Sequence, residues 1–203
     1  MLLDLKHLKN KYDLNIKGVI HVGGHYGEEN ELYQSLEIKN KIFFEPASRN
    51  FKILKEKVTD ALLVNKALGN ENKKITLNVE TFNGGQSNSI LEPKLHLQHY
   101  PQIQFLEKEE IEMIRLDDFL ENKQDYNFLN MDVQGYELEV LFGSKKTLSN
   151  IDYIISEINR DEVYKDCAKI WEITTFLNQF GFSLVEETWY ENGPWGDGFF
   201  IKG

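Results

Sequence analysis

Short apolar runs alternate with amphipathic stretches along the chain. Val19–Val22, Ile42–Glu45, Leu62–Ala67, Asn127–Met131 and Tyr153–Glu157 read as strands, and Lys74–Glu80 alternates like a further one. Runs of this kind, bounded by turn residues, mark strands buried on both faces. A short strand over Glu112–Leu116 is expected before Asp117 and Asp118. Helices are predicted over Glu28–Leu36, over Ser48–Val58 with Phe51, Leu54 and Val58 on one face, and around Leu138, Leu141, Phe142 and Lys145. Ile170, Ile173, Leu177 and Phe180 mark another, stopped by Gly181. Phe182–Val185 and Gly198–Ile201 read as a closing antiparallel pair across Asn192-Gly193-Pro194.

Strand–helix alternation with a final hairpin predicts a doubly wound α/β sheet, mostly parallel. Residues 1–203 read as a single domain, with Leu2, Leu5, Leu8 and Tyr12 spaced as a docking helix within residues 1–15. The irregular stretch 81–108, rich in Asn, Gly and Ser, is expected to cover a site, because loops of that length in a compact domain are usually functional or disordered.

Composition narrows the chemistry. The net charge is −10, from 33 acidic and 23 basic side chains, which argues against a nucleic-acid partner. No apolar run approaches the ~18 residues of a membrane span. The one cysteine, Cys167, excludes an internal disulfide and a cysteine-rich metal site, and points to a reducing, cytoplasmic compartment.

The first strand runs into Gly23-Gly24-His25-Tyr26-Gly27, and the second ends in Glu45-Pro46. A glycine turn lets a ligand approach the backbone and opens a helix whose free N–H groups face it. A carboxylate about 20 positions on, at a strand tip, offers paired acceptors to a ribose diol. The turn is not G-x-G-x-x-G, so it fits a nucleoside with a charged tail and no phosphates better than a dinucleotide. An ordinary strand-to-helix turn, and a Glu45 that merely caps the next helix, are the plainer readings. Asp132 ends the fourth main strand, Gly135 permits a tight turn, and Glu137 falls in the following first turn, as a cap or as a functional group. Glu157 and Asn159 point the same way by alternation. Asp132, Glu157 and Asn159 together suit a general base with hydrogen-bond partners, the favoured reading, or an Mg²⁺ or Ca²⁺ site. His21 within its strand reads as a bonded core histidine, whereas His25 faces whatever occupies the turn. His96 and His99 have metal-ligand spacing but no third ligand at fixed spacing, so no metal is assigned. Trp189, Tyr190 and Trp195 read as packing or as an aromatic rim suited to sugar rings.

With these elements in order, residues 17–202 resemble the FkbM family of S-adenosylmethionine-dependent methyltransferases, of the subset with a His-Val-Gly-Ala-His turn. The resemblance rests on Val22–Glu28, Phe44–Pro46, Lys66–Gly69, Leu116–Phe119, Asp132–Leu138 with Leu141 and Gly143, Glu157–Asn159, Gly181-Phe182 and Trp195–Gly198. His21 departs from the acidic residue that many class I methyltransferases carry there, and Asn130 stands where a lysine often precedes the Met-Asp pair. The resemblance implies a Rossmann-like fold and methyl transfer to a hydroxyl, typically of a sugar or polyketide, with a sugar or related small molecule as the expected acceptor. It implies donor contacts from His21, Gly23, Gly24, His25, Gly27, Glu45, Pro46, Ala67, Leu68, Ser87, Ser89 and Asp132. Asp132 or Glu157 would be the base, and Asn159, His96 and Trp195 would meet the acceptor. A non-catalytic module that binds S-adenosylmethionine or S-adenosylhomocysteine, and a nicotinamide-dependent oxidoreductase, are the alternatives.

Overall fold

The computed structural model of the protein describes residues 1–121 and 123–203, apart from the side chains of Lys123 and Asn192. Helix α1 (Leu5–Lys11) precedes β1 (Gly18–Val22), α2 (Asn30–Ser35), β2 (Asn40–Phe44), α3 (Ser48–Lys57) and β3 (Leu62–Val64). Then come β4 (Ala67–Leu68), β5 (Lys73–Glu80), α4 (His96–His99), β6 (Phe105–Ile114) and α5 (Leu116–Phe119). The chain closes with β7 (Phe128–Met131), α6 (Glu137–Phe142), β8 (Tyr153–Asn159), α7 (Ile170–Asn178), β9 (Phe182–Trp189) and β10 (Trp195–Lys202).

Seven strands form one sheet in the order β3-β2-β1-β7-β8-β10-β9. All neighbours are parallel except β10, which runs antiparallel to both β8 and β9. Alternate side chains enter opposite layers. Ile20, Val22, Ile42, Phe44, Leu129 and Met131 pack with α6 and α7, and Val19, Phe43, Phe128 and Phe199 pack with α1 and α3. Covering both faces is what makes the strands continuous apolar runs. In α1, Leu5 and Leu8 are buried in the second layer, and the Asp4 carboxylate caps the helix by accepting from Lys6 N and His7 N at 2.9 and 3.1 Å.

The middle of the chain departs from the sequence reading. Leu62–Ala67 is not one strand. Val64 ends β3 in the main sheet, and Ala67-Leu68 begins a separate three-stranded sheet ordered β4-β6-β5. Between them, Asn65 Nδ2 donates to the Glu45 and Pro46 carbonyls, turning the chain away from the sheet. The short strand expected over Glu112–Leu116 is the end of the ten-residue β6, antiparallel to β5, while Leu116 opens a helical turn. The irregular stretch therefore stops near residue 104. One face of β6 meets solvent and carries charges, with Glu110 paired to Lys74 at 2.7 Å, so its pattern reads as loop. Helix α2 starts at Asn30 and α3 at Ser48.

Candidate active site

The chain leaves β1 toward β2 on one side, and β7 lies on the other, so a crevice opens beyond the carboxyl ends of β1 and β7. Ligands of doubly wound sheets bind at such switch points. A cavity of about 700 Å³ occupies it. His21, Gly23, His25, Glu45, Pro46, Ala67, Leu68, Ser87, His96, Asp132, Glu157 and Trp195 all line it, so most of the residues nominated from the sequence converge. Gly24, Gly27, Ser89 and Asn159 do not line it.

The glycine turn is internally satisfied, contrary to the expectation of free N–H groups. Gly23 N and Gly24 N donate to the Phe44 carbonyl at 3.0 and 2.9 Å, and Gly27 N to the Gly24 carbonyl at 2.8 Å. Gly23 is required by proximity: at φ +85°, a Cβ there would lie 1.9 Å from the Asp132 carbonyl oxygen. Gly24 and Gly27 instead admit Phe43, Leu54 and Val58 behind the turn.

Glu45 is buried, and it holds the turn. Its Oε2 accepts from His25 N and its Oε1 from Ala47 N, each at 2.8 Å. Burial pushes its carboxyl up to about 7. Two of its four acceptor positions remain for a ligand. The His25 ring is engaged at both nitrogens, with Glu28 Oε1 at 2.8 Å and the Gly84 carbonyl at 3.0 Å. Burial opposes its charge, yet these bonds hold its pKa above the ordinary value. Burial also opposes charge on Glu28, but its bond to His25 brings that carboxyl to about 2. Tyr26 Oη donates to the same Gly84 carbonyl at 2.8 Å, so the first turn tethers the covering segment. His21 is a core histidine: Tyr33 Oη meets its Nδ1 at 3.0 Å, Asn130 Nδ2 donates to Tyr33 Oη at 2.8 Å, and burial lowers its pKa.

The second turn, Asp132–Gly135, is where the carboxyl groups of Asp132, of Glu137 from α6 and of Glu157 from β8 meet. Asp132 is exposed and Glu157 is buried. Burial, then the charges of Asp132 and Glu137, push the Glu157 carboxyl well above its usual range, within hydrogen-bond reach of Asp132. Glu137 takes the capping role and not a cavity position. Its Oε1 accepts from Val133 N at 3.0 Å and Gly135 N at 3.2 Å, while Oε2 is buried without a partner. Burial raises it to about 7. Asn159 lies fully buried behind Glu157, with Nδ2 at 3.5 Å from Glu157 Oε1 and Oδ1 unpartnered. Ser89, nominated for the donor, instead donates from Oγ to the Gln134 carbonyl at 2.7 Å, fastening the covering segment to this turn.

On the outer side, His96 Nε2 meets Ser87 Oγ at 3.0 Å, and burial lowers the His96 pKa. His99 lies outside this cavity, on an adjoining hollow of about 280 Å³. Tyr100, Tyr190 and Trp195 line both hollows. Tyr190 and Trp195 stack at 4.8 Å between centroids, and Trp195 Nε1 donates to Tyr100 Oη at 3.0 Å. Among the described residues, no group of three or more His, Cys, Asp or Glu side chains is placed to hold a metal ion, and no helix is long and apolar enough to cross a membrane.

Sequence reasoning missed Gln134, Tyr164, Glu80 and Asp197. Asp197 lies opposite Glu157 on β10 and accepts from Leu2 N and from Leu3 N, the latter at 3.1 Å. Strand pairing could have found it, since Gly196 and Gly198 flank it in a strand. Gln134 falls within the Asp132–Leu138 stretch that carries the family resemblance, without a role of its own being read there, and nothing local signals Tyr164 or Glu80.

The family described as "Methyltransferase FkbM domain" matches residues 21–184. The 2-O-methyltransferase NoeI of Sinorhizobium fredii (strain NBRC 101917 / NGR234) is 28% identical over 173 residues, covering 80% of this chain and 71% of that protein. The magnesium protoporphyrin IX methyltransferase of Synechocystis PCC 6803 with bound SAM shares the fold with a TM-score of 0.56 at 11% identity, over 98% of this chain and 76% of that one. Sp1610 of Streptococcus pneumoniae in complex with S-adenosyl-L-methionine does so with a TM-score of 0.54 at 14% identity, over 99% and 74%.

Proposed function

The chain belongs to the FkbM family of methyltransferases, and from that premise we propose that it moves a methyl group from S-adenosylmethionine to a hydroxyl of a small carbohydrate-type acceptor. The observation that carries this reading is the acid-lined cavity at the sheet's switch point, where Glu45, Asp132, Glu157 and Asp197 converge. A ligand with a sulfonium and an ammonium fits such a lining, whereas a diphosphate does not. When bound, S-adenosylmethionine would supply an electrophilic methyl group on a sulfonium, with the neutral thioether S-adenosylhomocysteine as the leaving group.

The remaining chemistry belongs to the protein. Glu45, with acceptor positions left over, holds the ribose hydroxyls. Ala67 and Leu68 are buried at the mouth of the small sheet and, with Pro46 and Ser87, border the adenine. His21, Gly23 and His25 flank the amino-acid end. Burial and the neighbouring acids hold the Glu157 carboxyl well above its usual range, so the exposed Asp132 is the group we assign to take the proton of the acceptor hydroxyl. Near-attack positioning of that oxygen supplies the rest of the rate. His96 and the Tyr190–Trp195 stack shape the acceptor side, and aromatic faces suit the C–H surface of a sugar ring. A hydroxyl oxygen as acceptor also agrees with the name of the 2-O-methyltransferase relative. The buried free thiol of Cys167 suits a reducing compartment, which we take to be the cytoplasm.

Calorimetry with S-adenosylmethionine, NAD and ATP, with and without Mg²⁺, tests the donor, and a panel of methyl glycosides tests the acceptor by S-adenosylhomocysteine release. S-adenosylmethionine alone is expected to bind. Glu45→Ala is expected to abolish that binding, and Asp132→Asn to preserve it while lowering turnover roughly 100-fold or more. Full turnover by Asp132→Asn would remove it as the base, and preferential NAD binding would overturn the donor.

A further inference from the structure

Gln134 occupies the turn between Asp132 and Glu157 and uses every polar atom of its side chain. Its Nε2 donates to Asp132 Oδ1 at 2.6 Å and to Glu157 Oε2 at 2.7 Å. An amide has two N–H bonds, so each carboxyl group receives one. Its Oε1 accepts from Tyr164 Oη at 2.7 Å. The opposite amide orientation would turn an oxygen toward two carboxyl groups, so those groups select the orientation in which Nε2 donates to both and Oε1 is left to accept from the Tyr164 hydroxyl.

The backbone of the residue is held as firmly. Gln134 has φ +56°, an uncommon conformation for a residue with a side chain, and Gly135 follows at φ +98°. Such conformations persist where the surroundings over-determine them. Ser89 Oγ donates to the Gln134 carbonyl at 2.7 Å, and Tyr164 Oη also reaches the Ser87 carbonyl at 3.1 Å. Ser87 and Ser89 both belong to the covering segment that His25 and Tyr26 tether at Gly84.

We propose that Gln134 is a positioning residue: anchored by Tyr164 and by the seated covering segment, its amide holds Asp132 and Glu157 as one unit facing the cavity. It touches no reacting atom in this account. Its effect is to let two carboxyl groups share a small space, the buried Glu157 and the exposed Asp132 that is open to the acceptor. The charged groups that face Glu157 are Asp132 and Gln134's own turn neighbour Glu137, Asp197 from β10, and the Met1 ammonium, which lies among Asp132, Asp197, Glu29 and Glu157. Without the Gln134 donor, repulsion among these acids has one fewer opponent.

The proposal rests on the reading that Asp132 and Glu157 serve methyl transfer, and the test separates the two. Carboxyl ¹³C NMR titration of the full chain, with the Glu157 signal assigned through Glu157→Gln, reads the site without any acceptor. Gln134→Met keeps an unbranched side chain but removes the donor, and Tyr164→Phe keeps the ring but removes the hydroxyl. Both are expected to raise the Glu157 titration midpoint, Gln134→Met by about one pH unit. Ser89→Ala should move it the same way by less. A merely structural role would lower the melting temperature and leave the midpoint in place. An unmoved midpoint in folded Gln134→Met and Tyr164→Phe overturns the proposal, and Tyr164→Phe decides it alone if the other variant does not fold. Full turnover in Asp132→Asn and Glu157→Gln would instead overturn the catalytic reading.

Discussion

Glu137 shows how much a single buried carboxyl group can cost and still be kept. It organises the Asp132–Gly135 turn through two backbone N–H groups, at the price of one oxygen buried without a partner. Its folded pKa near 7, against 4.5 in the unfolded chain, sets a sign. The folded state holds the proton more tightly, so the associated stability is fully present below about pH 4.5 and is lost as pH rises through 7. Glu45, raised to about 7, and His25, also raised, act in the same direction. Glu157, also raised, adds to this, while the lowered pKa values of His21 and His96 act the other way. With the carboxyl groups in the majority, urea unfolding at pH 5 and pH 8 is expected to show the protein weaker at pH 8. Glu137→Gln should flatten part of that difference, and an unchanged slope would show that Glu137 does not titrate in this window. The sequence marked Asp132 and Glu157 through strand alternation, because a strand tip shows in the apolar pattern. It marked the stretch that holds Gln134 but not that residue's role, nor Tyr164, because the two meet only when the fold puts them 2.7 Å apart.

At the scale of elements, the main strands and α3 were legible because burial on one or both faces writes a period into the chain. The small sheet was not. β6 alternates charged residues with Ile111 and Met113, and only pairing with β5 makes it a strand. The covering segment that precedes it is folded around Glu80, whose carboxylate accepts from Phe82 N and Asn83 N at 2.7 Å each and from Gly85 N. Asn88 Oδ1 accepts from Glu80 N at 2.9 Å and closes the loop on itself. Glu80→Ala removes three acceptor contacts from one segment while leaving both layers of the main sheet untouched. It is expected to speed proteolysis between residues 81 and 90 at least several-fold, with a smaller change in global melting. Cleavage at the wild-type rate would show that the tethers at Gly84 and Ser89 suffice.

At the scale of the molecule, the two apolar layers share one sheet, and the small sheet docks through Ala47, Ala67, Leu77, Ile111 and Met113. We infer that the chain unfolds as one unit, as the single-domain reading requires. Far-UV dichroism and the fluorescence of Trp171, Trp189 and Trp195 should then report one coincident urea transition. Separate transitions would make the small sheet, with its covering segment, an independent unit. The surplus of acidic over basic side chains extends into the cavity, where the same sign of charge favours a cationic ligand.

The sequence by itself determined the doubly wound sheet, the two turns at its carboxyl edge and the acidic residues delivered there. Apolar periodicity, glycine placement and strand-tip carboxylates are local properties, written into consecutive residues. Tertiary structure alone decided which of those residues face the cavity and which hold the turns. Glu45 and Glu137 bond backbone N–H groups, Ser89 fastens a segment, and Asn159 lies behind Glu157. The reason is physical: a buried hydrogen-bonding group takes whichever partner folding brings within about 3 Å. Ser89 and Glu45 reach partners distant in sequence, at Gln134 and His25, whereas Glu137 and Asn159 meet near neighbours that only the folded turn and strand bring to face them.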